Sequence, residues 1–252
     1  MRTVYSLLMT LAAAANCAAQ YPGQPYTGTT VPWSWPGTDA ASFTVDRGSG
    51  SRPTGETVSV ARLRHKIPGK ARAAFWRGMK FDQAGAAKKS AAEFQSAVDI
   101  DPDFSEARGN LGVELTTLGL YDQAADEFRR ALALDPATGA HHANLAYVLI
   151  QLKRNEEAER EAQAAVDLNP TDVKSQYLLG FLLAQHAKSR DRAVAYLERA
   201  SREMPDAHIM LAQMYLSEGL DQLARAELDR YRQSMTSQSA QPADAKGAGA
   251  AK

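Results

Sequence analysis

The residues best suited to chemistry in this chain are its five histidines. A helix presents two histidines to one metal ion when they stand four residues apart. No pair has that spacing, and His141 and His142, as neighbours, point about 100° apart on a helix. The full set is His65, His141, His142, His186 and His208. We predict surface or partly packed histidines, and neither a metal site nor a bound cofactor.

Motifs of nucleophilic and nucleotide chemistry are also missing from the sequence. The chain contains no G-x-S-x-G, no Walker-type motif and no G-x-G-x-x-G. The GSGS at 48–51 follows no strand pattern and opens no helix, so it lacks the setting of a phosphate loop. The acidic residues of 124–131 and 156–162 are predicted to form solvated helix faces with pairing partners one turn away. We therefore predict no catalytic residues and no enzymatic activity.

The amino terminus has the layout of a secretory signal peptide. One arginine precedes an apolar run over 4–15, and small residues lead to a predicted cleavage after Ala19. The sole cysteine, Cys17, lies in this segment, and Asn16 before it disfavours lipid attachment there. Cleavage would leave a mature chain without a thiol, which suits export. We predict a signal peptide at 1–19 and a periplasmic or secreted protein, with lipid anchoring through Cys17 as the lesser alternative.

Composition and charge exclude several classes of function. The 252 residues carry 29 Lys and Arg against 29 Asp and Glu, so no overall charge favours nucleic acid. No window approaches the roughly 20 apolar residues of a membrane-spanning helix. Segments 20–57 and 233–252 are rich in small and polar residues without periodicity, and are predicted to be disordered. In the first, Trp33 and Trp35 form PWSWPG, either a docking motif or two tryptophans without a partner.

The rest of the chain is organised by a repeat of 34 residues. The clearest marker is a recurring proline, at Pro102, Pro136 and Pro170. This period is typical of helical hairpins stacked into a solenoid. In the copy at 105–138, two stripes of helical spacing flank Gly119, which can end a helix in the left-handed conformation. Pro136 cannot continue the second helix, and Gly112 lets the first helix approach the second near Ala124.

These repeats resemble the tetratricopeptide repeat (TPR), with its L-G pair, tyrosine, A-x3-F and closing proline. The copy at 105–138 matches at Leu111, Gly112, Gly119, Tyr121, Ala124, Phe128, Ala131 and Pro136. The other copies are 71–104, 139–172, 173–206 and a partial 207–232. They depart from the pattern at Arg77, at Ala162 and by one extra residue in the fourth turn. The resemblance implies an all-α, right-handed α-solenoid over 71–232.

In the TPR family the first helix of each hairpin lines a concave groove that binds peptides. The same register here gives the groove residues Phe75, Met79, Asn110, Val113, Asn144, Tyr147, Tyr177 and Phe181. Because these positions alternate with the core stripe, we expect them to face the groove rather than pack between repeats. Asn144 and Lys174 match two members of a carboxylate clamp, but Val113 and Leu178 replace others. We therefore expect an apolar helix or an extended peptide as the ligand.

The resemblance implies a non-catalytic protein–protein interaction scaffold of the cell envelope or secreted space, with a protein or peptide partner. The alternative is a structural or assembly component that self-associates or binds envelope material through its ends and the basic lead-in, residues 58–70. Between 57 and 81 the chain has seven Lys and Arg and no acid. Such a segment can meet anionic lipid, a cell-wall polymer or an acidic protein. A solvated cap is the plainer interpretation.

Overall fold

The computed structural model describes residues 65–239 as ten α-helices joined by short turns. No strand occurs within that range. The helices are α1 Gly69–Gln83, α2 Ala87–Ile100, α3 Ser105–Thr117, α4 Tyr121–Leu134, α5 Gly139–Gln151, α6 Asn155–Leu168, α7 Val173–Leu183, α8 Arg190–Ala200, α9 Asp206–Ser217 and α10 Asp221–Ser239. The predicted signal peptide, Cys17, the segment 20–57 with Trp33 and Trp35, and most of the lead-in lie outside the described residues.

The ten helices pack as five hairpins in the order of the chain. Each odd-numbered helix packs against the helix that follows it, and each even-numbered helix packs against the next odd-numbered one. First helices of neighbouring hairpins also meet, as α3 does with α5 and α5 with α7. The hairpins begin where the repeats begin in the sequence, since α3, α5 and α7 start at Ser105, Gly139 and Val173. The predicted all-α solenoid is confirmed.

In four of the five described hairpins, the turn is closed by a residue with positive φ. Gly119 has φ 74°, and its N–H donates to the Thr116 carbonyl at 3.0 Å. Gly85 and Gly219 do the same at φ 68° and 74°. In the third hairpin, Lys153 takes this place with φ 62°. A residue with a side chain adopts this backbone conformation only under strain.

The fourth hairpin has a different turn. It contains a short 3₁₀ helix, Ala187–Ser189, between α7 and α8, where the sequence has its extra residue. After this turn, Arg190 forms an ion pair with Glu218 and lies over the Tyr215 ring, with 5.8 Å from the guanidinium to the ring centroid. Despite the additional residue, α8 still packs against α7.

In the second hairpin the two helices interlock through a glycine. A Cβ atom at Gly112 would lie 2.8 Å from the Phe128 ring, so the ring occupies the space that a side chain would need. This aromatic ring, rather than Ala124, is what requires the glycine. The third hairpin lacks both residues and places Ala146 and Ala162 there, each fully buried.

The last helix is longer than the sequence analysis predicts. α10 continues to Ser239, so the prediction of disorder from residue 233 is wrong over 233–239. The physical reason is that the sequence offers no proline until Pro242 and no glycine to end the helix earlier. None of the described helices combines the length and apolar character needed to span a bilayer.

Candidate functional site

The predicted groove residues are more buried than expected. Tyr177 exposes 1% of its surface, and Val113, Asn144, Tyr147 and Phe181 are buried as well. The prediction that they face an open groove is therefore wrong as to their exposure. The reason is that the first helices of the central hairpins are covered by second helices and by one another, so that 143–150 and 175–183 are continuously buried.

Phe75 and Met79, the first-repeat members of the predicted groove, are half-buried. The Phe75 ring lies 5.5 Å from the ring of Phe94 and 5.0 Å from that of Phe104. Phe94 belongs to the same hairpin and Phe104 immediately precedes α3. Phe75 therefore packs at the junction between the first two hairpins, and only part of its ring remains accessible to a partner.

The two asparagines of the predicted groove differ in their hydrogen bonding. Asn110 is half-buried, and its Nδ2 donates to the Glu106 carbonyl at 2.7 Å, within its own helix. Asn144, in the same place one repeat later, exposes only 4% of its surface. Its Nδ2 has no hydrogen-bond partner among the described residues. Buried side-chain donors are almost always paired, so this amide requires an explanation.

A cleft opens beside Asn144, between the N-terminal ends of α5 and α7. Its lining residues are Gly139, Ala140, Ala143, Asn144, Asn169, Asp172, Lys174 and Ser175. Asp172 caps α7 by accepting a hydrogen bond from the Ser175 N–H at 2.7 Å. The cleft thus combines small residues on one wall with an amide donor, a carboxylate and an ammonium group. It brings together Asn144 and Lys174, the two clamp-like positions of the sequence.

A set of polar contacts inside the hairpins was missed by the sequence analysis. Arg108 and Glu127 form an ion pair at 2.7 Å with side chains that are 11% and 10% exposed. His142 and Glu161 pair at 2.7 Å in the next hairpin. The prediction that the acids of 124–131 are solvated is wrong for Glu127, because this side chain reaches across to α3. The sequence contained a signal for this pair: 34 residues on, the same two positions hold His142 and Glu161.

The histidines occupy half-buried or exposed positions, as predicted. Burial acts to lower the pKa of His142, but its contacts with Glu161 and with the Pro136 carbonyl outweigh burial and raise that pKa. Within 65–239, no group of three or more His, Cys, Asp or Glu side chains is placed to hold a metal ion.

Burial also acts on two groups between the fourth and fifth hairpins. It raises the pKa of the Tyr177 phenol, and the charge of Asp206 adds to the effect. Burial raises the pKa of the Asp206 carboxyl too. The 1% exposure of Tyr177 makes it a packing residue.

A sequence model of the tetratricopeptide repeat family matches residues 110–173 and 178–240, together half of the chain. The chain belongs to the tetratricopeptide repeat family. A sequence comparison with curated proteins yields no match.

Solved TPR structures have a similar fold. MamA 41-end from Desulfovibrio magneticus RS-1 is 19% identical, with a TM-score of 0.62 over 69% of this chain and 99% of that one. PilF of Pseudomonas aeruginosa is 26% identical, with a TM-score of 0.57 over 65% and 76%. YrrB, described as a TPR protein with an unusual peptide-binding site, is 20% identical, with a TM-score of 0.55 over 66% and 92%.

Proposed function

We propose that this TPR protein is a non-catalytic scaffold that binds a protein or peptide partner in the cleft between α5 and α7. The observation that carries the proposal is the Asn144 amide, buried and without a partner for its Nδ2 among the described residues. An unpaired buried donor costs about 1–3 kcal/mol. A backbone carbonyl of a bound segment would accept this hydrogen bond and recover that free energy.

The walls of the cleft favour an extended segment over a helix. Gly139, Ala140 and Ala143 project little beyond the backbone of α5, so a partner's main chain can come close to Asn144. Lys174 and Asp172 on the opposite wall carry opposite charges, and so favour polar groups of the partner rather than a continuous apolar face. Among similar structures, YrrB is described as having an unusual peptide-binding site, and our proposal places a comparable activity here.

The test is a binding measurement with a matched pair of variants. A photo-crosslinker at Ala140, which is half-buried in the cleft, first captures the partner from the native source. Asn144→Ala should then weaken binding of the purified partner by about 1–3 kcal/mol, as for other central contacts. Asn110→Ala is the control, because that amide is already bonded within α3 and its loss should leave the affinity unchanged.

Two outcomes would count against the cleft. Equal affinities of the Asn144→Ala variant and the wild type would remove the amide from the binding site. A lower melting temperature of Asn144→Ala with unchanged affinity would make Asn144 a packing residue. Tyr147 and Phe181 are unsuitable as probes, since both are buried and their truncation would lower stability whatever they bind.

We also propose that the protein is exported to the cell envelope or the secreted space. The support is the charged, apolar and small-residue sequence of 1–19. Mass spectrometry of the protein purified from its native source should give a mature chain that begins at Gln20. An intact amino terminus on a cytoplasmic protein would contradict export, and a lipid on Cys17 would replace secretion by membrane anchoring.

A second candidate function is assembly through the first hairpin. Trp76 on α1 is 63% exposed, with Arg72 and Lys80 one helical turn to either side. An exposed tryptophan between cations suits contact with an anionic surface or a second copy of the chain. Sedimentation alone, and with vesicles containing anionic lipid, would reveal either contact, and Trp76→Ala should abolish it. A protein that sediments as a monomer and does not co-sediment with the vesicles would rule out this function.

A further inference from the structure

In three successive hairpins, the side chain at one equivalent position contacts the loop that precedes its helix. Arg108, His142 and Gln176 stand 34 residues apart, each on the first helix of its hairpin. Each lies against the carbonyl of the proline six residues earlier. Arg108 Nε donates to Pro102 at 2.8 Å, His142 Nε2 lies 3.2 Å from that of Pro136, and Gln176 Nε2 donates to Pro170.

Two of these side chains also reach across to the second helix of the hairpin. Arg108 Nη1 donates to Glu127 at 2.7 Å, and His142 Nδ1 lies 2.7 Å from Glu161. Arg108 and His142 therefore each join three pieces of chain: their own helix, the loop before it and the helix after it. In this geometry the histidine takes the place of the arginine.

The two residues differ in what this geometry requires of them. A carbonyl and a carboxylate both accept hydrogen bonds and donate none. A guanidinium carries donors on all three nitrogens and is always charged, so Arg108 satisfies both acceptors at any physiological pH. An imidazole has a proton on both nitrogens only in its charged form. A neutral His142 would direct a lone pair at Glu161 or at Pro136.

We propose that His142 is a proton-dependent clasp of the third repeat, joining α5, α6 and the preceding loop as an imidazolium and releasing one of its two contacts when it loses a proton. Its release would loosen the hairpin that carries Asn144.

Among the charged groups on α5 and on the elements packed against it, Glu161 of α6 is the one that acts on the pKa of the His142 ring. Asp135 in the preceding loop accepts a hydrogen bond from Thr138 Oγ1 at 3.0 Å. His141 is its neighbour on α5, with its ring 6.4 Å from that of Phe128. On the helices packed against α5, Arg108 of α3 pairs with Glu127 of α4, which also pairs with Arg130 of α4, and Lys174 of α7 lines the cleft.

The sign of the pH dependence follows from the raised pKa of His142. Its stabilising contribution is complete below the pKa of the unfolded chain, about 6.5 for histidine. It is lost as the pH rises through the higher pKa of the folded state. The third repeat should therefore be more stable to unfolding at mildly acidic pH than at alkaline pH.

His208 supplies a matched comparison in the fifth hairpin. Its Nδ1 lies 2.7 Å from Glu227, as His142 lies from Glu161. The carbonyl of Pro205 before it accepts from the backbone N–H of His208, at 2.9 Å, instead of facing the ring. This contact needs a proton on Nδ1 alone, whereas the two contacts of His142 need a proton on each ring nitrogen.

The experiment combines imidazole NMR with urea unfolding of the full mature chain at about pH 6 and about pH 8.5. We expect both ring nitrogens of His142 to stay protonated to a higher pH than in the urea-unfolded chain. The urea midpoint of the wild type should be lower at pH 8.5 than at pH 6. In the His142→Arg variant this decrease in midpoint should be smaller, because an arginine at this position, like Arg108, makes both contacts at either pH. His142→Gln, which introduces the residue type of Gln176 one repeat on, should have the lower midpoint already at pH 6.

The control is His208→Gln, which should retain the wild-type fall in midpoint. Three results would overturn the clasp. One is a folded His142 that titrates at or below the pH of the unfolded chain. Another is a His142→Arg variant with the full wild-type pH dependence. The third is loss of that dependence in His208→Gln instead.

Discussion

The second repeat, residues 105–138, and the third, residues 139–172, have the same backbone fold but differ in three structural features. The hairpin contact is Gly112 with Phe128 in one and Ala146 with Ala162 in the other. The cation across the hairpin is an arginine in one and a histidine in the other. The turn ends at a glycine in one and at a lysine in the other.

At the hairpin contact, the two repeats differ by a matched pair of residues. In the second repeat, the Phe128 ring lies against a glycine. In the third repeat, the methyl groups of two alanines occupy the same place between the helices. Both pairs are buried, whereas a mixture of the two would overpack the site or leave a cavity. The other two differences are single replacements. The third repeat bears backbone strain at Lys153 and depends on a proton at His142, and the second repeat does neither.

The largest effect should come from truncating the aromatic ring of the second repeat. Phe128 is fully buried, so Phe128→Ala should lower the free energy of unfolding by about 3–5 kcal/mol. Urea unfolding followed by circular dichroism would measure it. Leu132→Ala, on the same helix but half-buried, is the control and should cost less. A Phe128→Ala loss no larger than that of the control would mean that the ring does not hold the hairpin together.

The pairing predicts that one substitution changes sign with its background. Alone, Gly112→Ala forces a methyl group onto the Phe128 ring and should cost about 1–3 kcal/mol. In a Phe128→Ala background the same change should stabilise, because the third repeat holds this alanine pair and alanine favours a helix over glycine by about 1 kcal/mol. A double-mutant cycle measures the coupling. Equal effects in both backgrounds would refute the paired interpretation.

The smallest effect concerns the turn. Lys153 is exposed and has φ 62°, so Lys153→Gly removes strain without removing packing and should raise stability by about 1 kcal/mol. Gly119→Lys, the reciprocal change in the second repeat, should lower it by a similar amount. Both can be measured as shifts of the urea midpoint. A destabilised Lys153→Gly would indicate that the lysine side chain makes a contact worth more than the strain.

Sequence reasoning predicts the fold well because its signals are local and repeated. The period of 34 residues, Gly119 at its turn and Pro136 beyond the helix are each caused by backbone geometry, and all agree with the helices of the structure. The candidate site was predicted less well. Helical periodicity places Tyr177 on the first helix of its hairpin, but it cannot tell how many neighbouring helices cover that helix.

The burial of polar side chains was also not predicted from single residues, but it could have been predicted from their recurrence. Single acidic residues such as Glu127 give no sign of burial, because most glutamates lie on solvated faces. Considered together with Arg108 in the same repeat and with His142 and Glu161 one repeat on, Glu127 belongs to a pair of positions that recurs at fixed spacing. The unpaired amide of Asn144 could not have been inferred, since Asn110 in the same register bonds to its own helix.

The order of contacts along the chain also bears on how this protein folds and unfolds. Since its helices pack mainly against their neighbours in sequence, little chain entropy is spent in closing loops, and folding can begin at any hairpin and spread outward. The stretches 143–150 and 175–183 are buried throughout, so their amide protons should exchange slowest while the end hairpins fray. A partner held between α5 and α7 would then be bound by the part of the array that opens last.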